Sequence, residues 1–129
     1  MNDYTNKLPL EYRWLKAHNF NLLMPWYWVT EATRAQCLQK EYNVESNKEI
    51  IVFARRQDKD DIAGFEVVDS VIITRGLTVH LTWTNKLERA GYPVARATSS
   101  ILKWINDVVF DDTKDWISEA ELEDIQPKN

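Results

Sequence analysis

The fold of this chain is decided by residues 50–68, which read IIVFARRQDKDDIAGFEVV. Residues 50–54 form a continuous apolar run, which is typical of a strand covered on both faces. In residues 63–67, apolar side chains alternate with Gly and Glu, which indicates a second strand. The charged segment between them, residues 55–61, sits where the connection of a hairpin would lie. This stretch therefore predicts two neighbouring strands joined by a polar loop.

Further strand patterns lie on both sides of this hairpin. Residues 71–74 form another short apolar run, and Val79, Leu81 and Trp83 alternate with polar residues. Strict alternation is typical of a strand with one apolar and one polar face. Upstream, residues 25–29 are rich in aromatic and β-branched side chains, which favours a strand. The sequence predicts four successive strands after this first one, and their short connections favour an antiparallel meander.

Two helices are predicted in the first third of the chain. The first opens at Pro9, because proline fits the first helical turn without losing a hydrogen bond. The second starts at Thr30, a suitable N-cap residue, and runs to about Tyr42. Each has one apolar face, formed by Leu8, Tyr12 and Leu15 in the first helix and by Ala35, Leu38 and Tyr42 in the second.

The end of the chain is predicted to be helical as well. Ser99 is placed to cap one helix, and residues 118–121 fit a capping box that would start another ahead of Leu122 and Ile125. The expected inner face of the first of these helices is formed by Ile101, Leu102, Ile105, Val108 and Val109.

Together these patterns predict an α+β fold with helices on either side of a block of strands. The chain of 129 residues is expected to be a single domain over residues 1–129, with its core in about 8–110 and an acidic helix or tail in 111–129. We expect an antiparallel sheet of about four to six strands, flanked by N-terminal and C-terminal helices.

Composition and charge restrict the possible functions. Three glycines and a net charge of −4 argue against a glycine-rich nucleotide loop and against direct nucleic-acid binding. No uncharged run is apolar enough for a membrane span, and a single cysteine suits a reducing cytoplasm. Residues 107–124 hold eight acids and one base. This acidic stretch is either a solvated helix face or a surface for a basic partner.

No catalytic or metal-binding motif is evident, so we expect no cofactor and no metal site. An EF-hand reading that starts at Asp58 fails, because Ile62 and Ala63 occupy positions that need an oxygen ligand and a glycine. A Cys37–His80 pair would require the fold to bring the two residues together. A buried structural cysteine is the simpler interpretation of Cys37.

Three consecutive aromatic residues are the other unusual feature of the sequence. On a strand, Trp26 and Trp28 share one face and Tyr27 takes the other. One face is expected to belong to the core. The opposite face either lies under a helix or exposes an aromatic side chain, and exposed aromatics beside arginine are typical anchors of protein interfaces.

Residues 51–66 resemble the central block of the SMI1/KNR4 (SUKH) superfamily. That block has an apolar strand ending in Phe-Ala, a charged stretch closing on Asp-Asp and a second strand, as in residues 53–61 and those around them. The order of the opening helix, the Pro25-Trp26-Tyr27 strand and the closing helix around Trp104 is similar as well. The resemblance covers about residues 8–110.

The resemblance implies a compact α+β fold and a non-enzymatic binding role. Bacterial members are commonly immunity proteins that bind and neutralise a cognate toxin of a polymorphic toxin system, and a basic nuclease would suit an acidic protein. The alternatives are a scaffold or regulatory protein with an endogenous partner and, less favoured, a small enzyme. We expect a monomer or a weak homodimer. The predicted contact residues are Arg55, Arg56, Asp58, Asp60 and Asp61 with the exposed members of Trp26, Tyr27 and Trp28.

Overall fold

The centre of the protein is an antiparallel sheet of five strands that pair in chain order. The computed structural model describes residues 8–81 and 95–121. Within these, the elements are α1 (Leu10–Ala17), β1 (Trp26–Trp28), α2 (Ala32–Ser46), β2 (Ile50–Arg56), β3 (Asp61–Val68), β4 (Val71–His80), β5 (Ala95–Thr98), α3 (Ile101–Trp104), a π-helical segment (Ile105–Val109) and α4 (Phe110–Glu121). The α+β prediction is confirmed, with helices at both ends of a single domain.

The hairpin predicted from residues 50–68 is present. Strands β2 and β3 pair antiparallel, and residues 57–60 connect them. A bulge between Val52 and Ala54 shifts the register. The residues before and after the bulge are buried because both faces of the sheet are covered, as the continuous apolar run indicates.

The prediction of two separate strands after the hairpin is wrong. Residues 71–74 and Val79 belong to one strand, β4, which is irregular where it passes Glu66 of β3. This irregularity interrupts the apolar pattern and makes one strand look like two in the sequence. Strand β5 pairs with β4 and was not predicted. Trp83 lies outside the described residues.

The helix boundaries differ slightly from the predicted ones. Glu31 rather than Thr30 is the N-cap of α2, which continues to Ser46. Ser100 rather than Ser99 caps α3, and its hydroxyl accepts a hydrogen bond from the Lys103 amide at 3.2 Å. In each case the N-cap is the residue directly after the predicted one.

The predicted capping box at residues 118–121 is not a helix start. Ser118 lies within α4, and its hydroxyl donates to the Lys114 carbonyl oxygen at 3.0 Å. The helical segments α3, the π segment and α4 follow one another directly and form what we call the C-terminal helix (residues 101–121). Leu122 and Ile125 lie outside the described residues.

Each face of the sheet carries its own buried cluster. Helix α2 covers one face, with Leu38 and Tyr42 packed on Ile50, Val52 and neighbouring apolar residues. The other face lies under α1 and the C-terminal helix, whose Trp104 is fully buried. Contrary to prediction, Leu102 points outward and is 49% exposed.

None of the helices in residues 8–81 and 95–121 combines the length and the apolar character that crossing a bilayer requires. The longest of the uninterrupted α-helices, α2, has 15 residues and carries several charged side chains.

Candidate partner-binding surface

The fold incorporates Arg56 into an ion-pair network. Its Nε lies 2.6 Å from Asp58 Oδ1, and its Nη1 lies 3.1 Å from Asp112 Oδ2. The Arg56 side chain is only 11% exposed. Arg56 therefore holds the hairpin against α4, and its Nε, Nη1 and Nη2 atoms are engaged by Asp58 and Asp112.

Trp26 belongs to the same network and is also withdrawn from the surface. Its indole Nε1 donates to Asp112 Oδ2 at 2.8 Å, and its ring packs edge-to-face on Trp104 with the centroids 5.2 Å apart. Trp26 is 1% exposed. Trp26 is therefore not one of the exposed aromatic residues of β1, and this burial is incompatible with a direct contact between Trp26 and a partner.

Charge in the network shifts two pKa values in opposite directions. Partial burial acts to raise the pKa of Asp58, but the hydrogen bond and positive charge of Arg56 outweigh burial and lower it. Burial acts to lower the pKa of Arg56, but the hydrogen bond of Asp58 and the charges of Asp112 and Asp58 raise it. Both groups remain ionised at neutral pH.

The two aspartates that close the charged segment have different environments. Asp61 Oδ1 lies 2.6 Å from His80 Nδ1 across the β3–β4 pair. Asp60 is exposed, and its backbone carbonyl accepts a hydrogen bond from the Leu81 amide at 2.8 Å. A carboxylate can orient an imidazole, and this contact links His80 to Asp61. Cys37 is exposed on α2, so it is not the buried structural cysteine expected.

A concave site lies where β1 meets the start of α2. Tyr27 of β1 stands opposite Arg55 of β2 in the strand register, and both line a cavity of about 230 Å³. Glu31 and Arg34, from the start of α2, line the same cavity. Tyr27 is 42% exposed, and Arg55 Nε is buried with no hydrogen-bond partner among the residues that the structure describes. The site therefore offers an accessible aromatic ring beside two guanidinium groups.

Trp28 lines the same cavity and is held in place by contacts with its neighbours. Its indole Nε1 donates to the Phe20 carbonyl oxygen at 2.7 Å, and Lys16 Nζ lies 5.2 Å from its ring centroid. Trp28 is half-buried against the core, with its ring 5.5 Å from that of Tyr12. Tyr27 is thus the most accessible of the three aromatics of β1. The sequence left two alternatives for the outer face of this strand, and the structure shows the exposed aromatic side chain.

The predicted contact residues therefore fall into two groups. The members of the first group line the cavity or are exposed, namely Tyr27, Trp28, Arg55 and Asp60. The members of the second group are engaged in contacts within the fold, namely Trp26, Arg56, Asp58 and Asp61. Sequence reasoning did not include Arg34, because its approach to Arg55 depends on how α2 folds back over the sheet. A basic residue one turn after a predicted N-cap is too common to mark a site.

Apolar side chains are also exposed on the helical side of the molecule. One group, formed by Leu10, Trp14 and Leu102, lies between α1 and the C-terminal helix. A second group, which includes Leu23, Phe110 and Ile117, lies along the C-terminal helix. Clustered exposed apolar residues are a mark of interaction surfaces.

The part of the chain that the structure describes contains no group of three or more His, Cys, Asp or Glu side chains placed to hold a metal ion. Comparison of the sequence with protein-family models, and of the chain with curated proteins and solved structures, gives no match.

Proposed function

We propose that this chain is a non-enzymatic binding protein of the SMI1/KNR4 type, which neutralises a cognate bacterial protein toxin. The observation that carries the proposal is the site formed by Tyr27, Arg55 and Arg34, with an exposed ring beside two arginines. Tyrosine and arginine are enriched among residues that contribute most to binding between proteins. The sequence block in residues 51–66 supplies the link to immunity proteins.

The chemistry of this site suits a particular kind of contact. Arg55 lines the cavity, where its guanidinium group would pair with an acidic side chain of the toxin. Arg34 adds a second positive charge, and Tyr27 provides a rigid apolar surface at the rim. Charge-assisted hydrogen bonds of this type fix the orientation of a complex as well as strengthen it.

The toxin would be met in the cytoplasm of the producing cell. The exposed thiol of Cys37, which is a free cysteine, suits that reducing compartment. Catalysis has no part in this proposal, since occupying the toxin's surface is enough to block it.

The decisive experiment is a growth-rescue assay with the toxin gene nearest to the gene for this chain. Co-expression should restore growth, and the purified proteins should form a complex. Failure of rescue and of complex formation with each neighbouring toxin candidate would refute the proposed function.

The site assignment is tested separately in the same assay. Tyr27→Ala and Arg55→Ala should each weaken the complex by about 2 kcal/mol, roughly thirtyfold in Kd. Lys59→Ala, in the exposed hairpin loop, is the matched control and should leave Kd within about twofold. Unchanged affinity in the first two variants, with rescue intact, would place the interface elsewhere. Asp60→Ala and Asp61→Ala show whether the loop carboxylates also contribute.

A further inference from the structure

A groove runs along the outside of the C-terminal helix. It has a volume of about 580 Å³ and is lined by Leu23 from the loop before β1 and by residues of the π segment and α4. Phe110 and Ile117 form its apolar part, and Asp107 and Asp111 its acidic part. This groove contains none of the residues assigned above to the toxin-binding site.

The apolar side chains of the groove remain half exposed after folding. Leu23 is 45% exposed, Phe110 is 44% exposed and Ile117 is 52% exposed. Met24, beside Leu23, is 51% exposed. Covering these side chains would remove apolar surface from water, which is the main favourable contribution to association.

The walls of the groove are fixed by hydrogen bonds. Thr113 Oγ1 donates to the Met24 carbonyl oxygen at 2.7 Å, which joins the loop to α4. The neighbouring Asp112 accepts from the Trp26 indole and pairs with Arg56. A groove formed before binding does not have to be ordered by its ligand, so little affinity is lost to conformational entropy.

The π-helical segment Ile105–Val109 determines which side chains reach the groove. It buries Ile105, Val108 and Val109 toward the sheet, while Phe110 directly after it is exposed. Asp112 then faces the network with Trp26. Short π-helical segments within α-helices are frequent at functional sites, because they change the direction in which the following residues point.

The groove lining is acidic on balance, with the carboxylates of Asp107 and Asp111 against the ammonium group of Lys114. Asp107 accepts a hydrogen bond from Asn106 and pairs with Lys103 at 3.3 Å, and these contacts lower the pKa of its carboxyl group. Asp107 therefore stays ionised at neutral pH, and Asp111 supplies the second carboxylate of the lining.

We infer that this groove binds a basic amphipathic segment of a partner protein, which places apolar side chains against Phe110 and Ile117 and lysine or arginine beside Asp107 and Asp111. The inference extends the proposed function and rests on it in one respect, namely that the partner is a protein. A second copy of this chain fits less well. A symmetric dimer through the groove would bring two acidic edges together, and like charges in contact are unfavourable.

The probe for the test is a synthetic helical peptide with leucine on one face and lysine on the other. A second peptide with glutamate in place of lysine is the matched control. Binding is followed by amide chemical shifts in the full-length protein and by titration calorimetry. The lysine peptide should bind at low salt and shift the amides of Leu23, Phe110 and Ile117, and the glutamate peptide should bind at least about tenfold more weakly.

Variants then show which residues contribute to binding of the lysine peptide. Ile117→Ser and Asp111→Lys should each weaken binding of the lysine peptide by about tenfold, and Asp111→Lys should strengthen binding of the glutamate peptide. Two controls match them in chemistry: Leu10→Ser alters an exposed apolar residue in the other patch, and Asp115→Lys reverses an exposed charge outside the groove lining. Both controls should stay within about twofold of the native protein.

Three outcomes would overturn the inference. The first is equal affinity of the protein for the two peptides. The second is a set of amide chemical-shift changes confined to the patch of Leu10 and Trp14. The third is self-association of the protein that Ile117→Ser abolishes. The last result would assign the groove to a second copy of the chain. Because the peptide assay needs no toxin, peptide binding without toxin neutralisation would refute only the proposed function. Neutralisation of the toxin without peptide binding would refute only the inference about the groove.

Discussion

Arg56 and Asp112 form an ion pair that joins the hairpin to α4, with 3.1 Å between Arg56 Nη1 and Asp112 Oδ2. The same carboxylate oxygen accepts the Trp26 indole N–H at 2.8 Å. One aspartate thus satisfies two donors from two different strands. The side chains of Arg56 and Asp112 are 11% and 17% exposed, so water does not readily replace either contact.

Removal of this carboxylate should destabilise the protein markedly. Asp112→Ala leaves the buried indole N–H of Trp26 without its acceptor and the largely buried guanidinium of Arg56 with one carboxylate partner fewer, and we expect a loss of about 2–4 kcal/mol in unfolding free energy. Asp112→Asn keeps an acceptor for Trp26 and should lose less. Asp111→Ala, at the exposed neighbouring position, should change stability by less than about 0.5 kcal/mol. Urea denaturation measures all three, and equal losses in the two alanine variants would contradict this role for Asp112.

A second buried hydrogen bond fixes the C-terminal helix on the sheet. Trp104 Nε1 donates to Thr78 Oγ1 at 3.0 Å, and both residues are buried. Thr78→Val keeps the shape of the side chain but removes the acceptor, so we expect a loss of about 1–3 kcal/mol. Thr78→Ser retains the hydroxyl and isolates the effect of the lost methyl group. If serine proved as destabilising as valine, the hydrogen bond would not be the important contribution. Thermal denaturation followed by circular dichroism provides the comparison.

Two glycines in the sheet should respond very differently to alanine. A Cβ at Gly64 would lie 2.9 Å from the Ile51 carbonyl oxygen, which is backbone and cannot move aside without disturbing β2. A Cβ at Gly76 would meet Thr98 Oγ1 at 3.4 Å, an ordinary contact. Gly64→Ala should therefore cost about 1–3 kcal/mol and Gly76→Ala less than about 1 kcal/mol in chemical denaturation. The reverse order would show that β2 and β3 can separate more easily than the packing indicates.

The carboxyl groups of Glu41 and Glu45 give the protein a pH-dependent stability. Burial, followed by the hydrogen bond and negative charge of Glu45, raises the pKa of Glu41 from 4.5 to about 7. The folded state therefore favours the protonated form more than the unfolded chain does. Its contribution is fully present below pH 4.5 and is lost as the pH rises through about 7.

We expect the unfolding free energy to fall by about 1–2 kcal/mol between pH 5 and pH 8 because of this pair, allowing for partial solvent exposure of Glu41. Glu41→Gln should remove this decline, since the amide does not ionise. Glu49→Gln, at an exposed position, is the control and should follow the native curve. If the unfolding free energies of the native protein and of Glu41→Gln fell in parallel with pH, Glu41 would not be the source of the decline. The lowered pKa of Asp58 acts only at more acidic pH, so it does not interfere.

Much of the site follows from periodicity, but its division into buried and accessible residues does not. Alternation along β1 predicts that Tyr27 faces away from Trp26 and Trp28, and the structure agrees. The sequence contains no signal that Arg56, rather than Arg55, is engaged by Asp112. Adjacent arginines have the same local character, and the strand places them on opposite faces with different neighbours.

Local sequence patterns were sufficient to predict the hairpin of residues 50–68, the helices at both ends and the aromatic strand that follows α1. These features depend on local patterns of two and 3.6 residues and on turn chemistry, which act between near neighbours. Three other features were visible only in the folded chain: residues 71–80 form one strand, Asp112 contacts Trp26 and Arg56, and Arg34 lines the cavity beside Tyr27. Each of these joins residues far apart in the chain, and such contacts depend on how whole elements pack.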